Sequence, residues 1–156
     1  MMTKGVCMIS KILVPSDGSK TAQRAAGYAI DLAKQLKASI IALSVIDERP
    51  FIAQTVPASD TARHTIEPIE DYLREAAKGY AGEIKELCDK SGVESNISIR
   101  KGHPVEEIVK EAKRSKANLI IMGSHGRSAL SAAVLGSVSY GVIHKDTSIP
   151  ILIVRD

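Results

Sequence analysis

Five short, mostly apolar segments alternate with segments of helical periodicity along this chain of 156 residues. This alternation constrains the fold more strongly than any other feature of the sequence. The strand-like segments are residues 9–15, 39–46, 93–101, 118–122 and 150–154. Buried strands joined by helices are typical of a parallel sheet with helices on both faces, and right-handed crossovers make such a sheet doubly wound. The sequence therefore predicts a doubly wound α/β fold with a five-stranded parallel sheet.

Apolar residues recur at helical spacing between the predicted strands. Helices are predicted over 19–37, over 66–88, after Pro104 and after Gly136. In the long second helix, Pro68 is expected in the first turn, where proline is tolerated, and Ser91-Gly92 is expected to end it. Residues 48–64 show no clear period, so they predict an irregular connection of unusual length, which is often functional or mobile.

Composition narrows the class of protein. With 44% hydrophobic and 25% charged residues, the sequence predicts a single folded domain over residues 1–156, not a disordered chain. Aromatic residues make up only 3%, so the core is expected to be aliphatic and no base-stacking platform is expected. The net charge of +3 is not concentrated in a basic run, so no nucleic-acid partner is predicted.

Apolar runs of about five residues are too short to cross a bilayer, so no membrane association is expected. The first residues also lack a signal-like apolar stretch, so a cytoplasmic location is predicted.

Cys7 and Cys88 lack metal-site spacing and are predicted to be free thiols, with a disulfide as the alternative. The histidines are His64, His103, His125 and His144, and none has a metal-ligand partner at helical spacing, so no metal site is predicted. No Ser-His-Asp pattern is visible in the sequence, so no catalytic residue is predicted.

A glycine motif follows the fourth predicted strand. Gly123, Gly126 and Gly136-Ser137 give the spacing G-x2-G-x9-G-S, and the last pair opens a helix. Glycines let the backbone approach an anion closely, and free amides at a helix N-terminus attract phosphate. Hydroxyl groups of Ser137 and Ser139 and the charge of Arg127 would add to this attraction, so the motif predicts a nucleotide site. The alternative is an ordinary loop in which Ser137 only caps the helix.

Asp17 follows the first predicted strand, at the edge where open parallel sheets bind ligands. Its carboxylate is expected either to cap the next helix or to face the sugar hydroxyls or exocyclic amine of a ligand. Asp47, after the second strand, is predicted to be a turn residue. The sequence has no G-x-x-x-x-G-K-[ST] motif and no G-x-G-x-x-G motif after the first strand, which excludes a P-loop NTPase and argues against a dinucleotide fold.

Residues 9–154 resemble the universal stress protein family, specifically its ATP-binding branch. The resemblance rests on residues 11–19, 44–47 and 102–104, and above all on 122–127 followed by 135–139, which keep the family's G-x2-G-x9-G-[ST] spacing. It implies a Rossmann-like sheet with the strand order 3-2-1-4-5. It also implies bound ATP, with Mg²⁺ or Mn²⁺ held through the phosphates.

The resemblance also implies roles for individual residues. Pro15, Asp17 and Val45 would frame adenine and ribose, and Gly102 would lie near the ribose. The ribose and phosphate path would be lined by Met122, Gly123, His125, Gly126 and Arg127. The phosphates would be held by Gly136, Ser137, Val138 and Ser139.

Family members commonly dimerise through the last strand, so the resemblance implies a homodimer through residues 151–154. The main hypothesis is an ATP-binding stress-response or signalling module whose downstream protein partner is unknown. One alternative is a slow ATPase or phosphotransferase that uses His125 or the serines of 124–139 at the same site. Another is a structural dimer that no longer uses nucleotide.

Overall fold

A computed structural model describes residues 8–52, 60–127, 135–145 and 147–156. Within these ranges, five parallel strands form one sheet in the order β3-β2-β1-β4-β5. The strands are β1 (Lys11–Pro15), β2 (Ser39–Ile46), β3 (Ser95–Lys101), β4 (Leu119–Gly123) and β5 (Ile151–Val154). This confirms the predicted α/β class and the strand order that the resemblance implies. The order reverses between β1 and β4, where open sheets of this kind bind ligands.

The helices of the described ranges are α1 (Lys20–Leu36), α2 (Arg49–Ile52), α3 (Asp60–Ser91), α4 (Pro104–Arg114) and α5 (Ser137–His144). Helix α1 begins where the Ser19 hydroxyl accepts a hydrogen bond from the N–H of Ala22, and it ends at Lys37 in the left-handed conformation. Helices α1 and α3 pack on one face of the sheet, while α4 and α5 pack on the other. The sheet is therefore covered on both faces, as predicted.

The region between β2 and β3 differs from the prediction. Residues 48–64 were expected to be irregular, but α2 occupies Arg49–Ile52 and α3 already begins at Asp60. Pro68 consequently lies inside α3 and not in its first turn. Proline lacks the N–H that a helix interior uses, which is why the sequence alone favours a helix start near this residue. Residues 53–59, with Pro57, lie outside the described part of the chain.

The core consists of two aliphatic clusters, one on each face of the sheet. In β1, Ile12 and Val14 belong to the cluster under α1 and α3, whereas Leu13 belongs to the cluster under α4 and α5. No aromatic side chain is buried among the residues whose burial is described, in agreement with the predicted aliphatic core.

Cys88 is a buried free thiol whose pKa is raised by burial; Cys7 lies outside the described ranges. None of the helices within those ranges is long and apolar enough to cross a membrane.

Candidate functional site

A cavity of about 670 Å³ opens at the carboxyl ends of β1, β2 and β4. Twelve of the thirteen residues singled out from the sequence line it: Pro15, Asp17, Val45, Met122, Gly123, His125, Gly126, Arg127, Gly136, Ser137, Val138 and Ser139. These residues come from four separate stretches of the chain. The parallel topology brings them together because it places the carboxyl ends of all strands at one edge of the sheet.

Gly102 is the remaining residue of that set, and it does not line the cavity. Its N–H donates a hydrogen bond to the carbonyl of Ile46 at 3.0 Å, and its φ of +146° lies in a region that favours glycine. Gly102 therefore shapes the turn between β3 and α4.

Asp17 connects two loops at the cavity rim. Its Oδ1 accepts a hydrogen bond from the N–H of Ser19 at 3.0 Å, and its Oδ2 accepts one from the N–H of Arg127 at 3.1 Å. The capping role considered for Asp17 belongs to Ser19 instead, because Asp17 lies two residues before the helix cap. The carboxylate thus fastens the turn after β1 to the loop after β4 and keeps lone pairs that can accept hydrogen bonds from a ligand.

The three motif glycines are required by the packing of the chain against itself. A Cβ atom at Gly123 would lie 2.7 Å from Cγ2 of Thr21, and one at Gly136 would lie 2.9 Å from Cα of His125. At Gly126, a Cβ would lie 2.6 Å from Oδ2 of Asp17. The glycines therefore let the loop after β4 lie directly against α1 and the Asp17 turn.

Helix α5 begins at the cavity wall without a side-chain cap. Gly136 is its N-cap residue, and no side chain of the described residues caps it. The alternative in which Ser137 caps the helix is wrong, since Ser137 is the first helical residue. The N–H of Gly136 donates to the carbonyl of Ser124 at 2.7 Å, but the N–H groups of the first turn have no partner within the helix. Three such groups, on Ser137, Val138 and Ser139, belong to residues that line the cavity.

The two hydroxyl groups at the start of α5 differ in role. Ser139 is buried, and its hydroxyl donates to the carbonyl of Gly123 at 2.7 Å, which fixes α5 to the end of β4. Ser137 is exposed at the cavity. Among the described residues the Ser137 hydroxyl donates to no acceptor, whereas that of Ser139 is already used.

His125 lies in a chain of polar contacts beside the cavity. Its Nδ1 is 3.1 Å from Oγ of Ser124, and its Nε2 is 3.1 Å from Oγ1 of Thr21 and 3.4 Å from Oδ2 of Asp156. The structure therefore brings Ser, His and Asp side chains together where the sequence predicted no such constellation. Ser124 is only 5% exposed and is not part of the cavity wall. The polar contacts of His125 therefore connect the loop after β4 to α1 and to the residues after β5.

Arg127 brings a positive charge to the cavity. Its Cζ lies 4.7 Å from the ring centroid of Tyr80, a residue of α3. Within the described ranges, no carboxylate forms an ion pair with this guanidinium group. Tyr80 was missed because helical periodicity assigns it to the apolar face of its helix, and the sequence carries no signal that this face reaches the loop after β4.

Aliphatic side chains form much of the remaining wall. Leu43 and Ile108 line the cavity together with Val45 and Met122, and the sequence suggested only a core role for the first two. The position of Leu43 near the carboxyl end of β2 could have identified it, whereas Ile108 lies in helix α4. Asp47 also lines the cavity, and it accepts a hydrogen bond from the N–H of Arg49 as a turn residue would. Hydrogen bonds from the Arg49 guanidinium hold the pKa of Asp47 below its ordinary value.

The described residues contain no cluster of three or more His, Cys, Asp or Glu side chains that could hold a metal ion. A cation at this cavity would therefore need oxygen ligands from a bound molecule.

Comparisons with known proteins identify relatives along nearly the whole chain. Residues 8–155 match the sequence model described as the Universal stress protein family. Universal stress protein MJ0531 from Methanocaldococcus jannaschii is 34% identical over 155 residues, which cover 99% of this chain and 87% of that protein.

Solved structures give the same result at the level of the fold. Protein MJ0577, named as a universal stress protein from Methanocaldococcus jannaschii, superposes with a TM-score of 0.81 at 34% identity, covering 96% of this chain and 97% of its own. A universal stress protein solved in complex with cAMP superposes with a TM-score of 0.65, covering 95% of this chain and 98% of its own. At 24% identity this second likeness shows the fold alone.

Proposed function

The chain belongs to the universal stress protein family, and from that membership we propose that it binds ATP in the cavity at the carboxyl ends of its strands. It would act as a nucleotide-dependent stress-response or signalling module. The observation that carries this proposal is the N-terminus of α5 in the cavity wall, which no side chain of the described residues caps, with the Arg127 side chain in the same wall.

The phosphates would meet complementary charge at this end of the cavity. Free N–H groups at a helix N-terminus carry partial positive charge and bind anions. Ser137, Val138 and Ser139 supply these groups, and Arg127 supplies a full positive charge. Mg²⁺ or Mn²⁺ would be held through the phosphates, because the described residues offer no cluster of metal ligands.

The base and the sugar would occupy the other end of the cavity. Leu43, Val45 and Met122 give it an aliphatic wall that suits the faces of a purine. Asp17 accepts two backbone hydrogen bonds and retains acceptor capacity for a ribose hydroxyl. Adenine would thus lie between aliphatic groups, without an aromatic ring beneath it.

The arrangement supports binding over hydrolysis. A base for an attacking water needs a free acceptor atom close to the terminal phosphate. Both ring nitrogens of His125 already lie within hydrogen-bond distance of Ser124 and Thr21. Ser124 is buried outside the cavity wall and the Ser139 hydroxyl donates to Gly123, so of the described serines Ser137 remains for a slow ATPase or phosphotransferase, which is the weaker alternative.

A proline substitution tests the role of the α5 amides. Ser137→Pro removes the N–H of the first helical residue, where proline is well tolerated, and Gly136 already has the extended φ and ψ of −65° and 157° that a following proline requires. Ser137→Ala is the matched control, since it removes the hydroxyl and keeps the amide. Calorimetric titration should show that Ser137→Pro weakens binding of ATP-Mg²⁺ by about tenfold or more, while adenosine binding changes little.

Two outcomes would contradict the proposal. One is a wild-type protein that binds neither ATP-Mg²⁺ nor adenosine. The other is a Ser137→Pro variant that binds ATP-Mg²⁺ as tightly as the Ser137→Ala control does.

The same proposal includes a homodimer formed through β5. This strand lies at one edge of the sheet and pairs only with β4 among the described strands. All four of its residues, Ile151–Val154, are apolar and only partly buried. An apolar edge strand of this kind favours pairing with a second strand, which supports a symmetric contact between two copies.

A further inference from the structure

Tyr80 lies outside the glycine motif and outside the cavity wall, yet its ring is in contact with Arg127. We infer that Tyr80 is a positioning residue for the terminal phosphates of a bound nucleotide, and that it acts by holding the guanidinium group of Arg127. This inference rests on the proposed ATP-binding function.

The contact leaves the phosphate-binding groups of Arg127 available. Its Cζ atom lies 4.7 Å from the centroid of the Tyr80 ring, within the range of a cation–π interaction. A guanidinium group over a ring uses its flat face for this contact, whereas its N–H donors lie at its edge. Tyr80 can therefore hold the group without competing with phosphate oxygens.

Arg127 is restrained at its backbone and at its side chain by different residues. Its N–H donates to Oδ2 of Asp17 at 3.1 Å, and its side chain lies over Tyr80. A long side chain loses conformational freedom when it binds, so a side chain that is already held loses less. The Tyr80 contact should therefore increase affinity for the charged part of the nucleotide.

The ring of Tyr80 is itself held by the turn after β1. A Cβ atom at Gly18 would overlap Cε1 of Tyr80, and Gly18 has a φ of +77°. A residue without a side chain is thus needed there for two reasons, the backbone conformation and the space for the ring. This contact places α3, the Asp17 turn and the Arg127 loop against one another at the cavity rim.

A double-mutant cycle tests the inference. Calorimetry measures the Kd of ATP-Mg²⁺ and of adenosine for the wild type, Tyr80→Leu, Arg127→Gln and the double variant. We expect Tyr80→Leu to weaken ATP-Mg²⁺ binding about two- to fivefold and to leave adenosine binding unchanged, because only the cation–π contact is lost. In the Arg127→Gln background the same change should have no further effect on ATP-Mg²⁺ binding.

Two further variants serve as controls. Tyr80→Phe keeps the ring and should bind ATP-Mg²⁺ like the wild type. Tyr72→Leu removes a tyrosine from the same helix at a position that is 73% exposed, and it should change neither Kd. Melting temperatures of all variants establish that they are folded at the temperature of the titration.

The results separate this inference from the proposed function. A wild type that does not bind ATP-Mg²⁺ overturns both. If the wild type binds, the inference is overturned by equal losses for ATP-Mg²⁺ and adenosine, which would indicate an effect through Gly18 and the Asp17 turn. It is also overturned by no loss in Tyr80→Leu, by an equal loss in Tyr80→Phe, or by an undiminished loss in the Arg127→Gln background.

Discussion

Gly123, Gly126 and Gly136 each have a packing role that does not depend on a bound anion. Their missing Cβ atoms leave room for Thr21 and Asp17, from α1 and the turn before it, and for His125, from the loop after β4. The spacing of these glycines could be recognised from the sequence because it follows a buried strand and opens a helix. Their contacts could not be recognised, because Thr21 and Asp17 are more than 100 positions away along the chain.

Gly123→Ala tests this packing role. Its Cβ would meet Cγ2 of Thr21 at 2.7 Å and the backbone of the same residue at 3.1 Å, so the chain must shift. We expect a loss of about 1–3 kcal/mol in the free energy of unfolding, measured by urea denaturation. Gly27→Ala is the control, because this glycine lies in α1 with nothing within 4 Å, and the substitution should stabilise the protein by about 0.5–1 kcal/mol. A Gly123→Ala variant as stable as the wild type would contradict the packing role.

Glu111 links two elements, β3 and α4. Its Oε2 accepts hydrogen bonds from Arg100 at 2.7 Å and from Arg114 at 2.9 Å, and the side chain is buried. Burial alone would raise the pKa of this carboxyl group, but the hydrogen bonds and charges of the arginines outweigh it and lower the pKa. This ion pair could not be predicted from the sequence, because Arg100 lies on a strand and Glu111 shares the inward face of α4 with Ile108 and Ala112.

The pH dependence of stability tests this link. A carboxyl group whose pKa is lower in the folded state stabilises the protein above its unfolded pKa of about 4.3, and this contribution is lost as the pH falls through the folded pKa. Glu111→Gln should therefore cost about 1–3 kcal/mol at pH 7, and the difference from the wild type should shrink below pH ~4. The control is Glu75→Gln, a 72% exposed partner of Lys78, which should cost less than about 1 kcal/mol. A difference that stays constant from pH 7 to pH 3 would contradict this account.

Element boundaries show what sequence patterns can predict. Helix α1 and strand β2 agree closely with their predicted bounds, because the alanine stripe of α1 is uninterrupted and Ser44 alone interrupts the apolar run from Ile40 to Ile46. The start of α3 was predicted too late, since Pro68 suggests a helix beginning and the residues before it lack an apolar stripe. Pro68 therefore does not mark the start of this helix, although proline is often found in the first turn.

Strand β5 forms one edge of the sheet, where its outward-facing backbone groups have no neighbouring strand among the described residues. The N–H of Ile120 donates to the carbonyl of Pro150, and the N–H of Ser124 donates to that of Val154. Backbone groups alternate in direction along a strand, so the N–H of Ile153 points away from β4. The N–H of Ile151 points outward by the same alternation, and a second copy of β5 would use both groups.

Ile153→Pro tests the proposed dimer, because it removes one outward N–H and leaves the ladder to β4 intact. Ile153→Ala is the control that shortens the side chain and keeps the N–H. Light scattering should give about twice the chain mass of 16.7 kDa for the wild type and for Ile153→Ala, and a single chain mass for Ile153→Pro. A monomeric wild type, or a dimeric Ile153→Pro variant, would be inconsistent with pairing through β5.

The melting temperature in the presence of nucleotides shows whether the folded protein binds ATP. A ligand that binds only the folded state at a hundredfold excess over its Kd adds about 2.7 kcal/mol to the free energy of unfolding, or roughly 5–10 °C in Tm for a domain of this size. We expect ATP-Mg²⁺ to raise Tm by roughly 5–10 °C in the wild type and, at the same concentration, by about half as much or less in Ser137→Pro. If saturating ATP-Mg²⁺ leaves the Tm of the wild type unchanged, the cavity is not an ATP site.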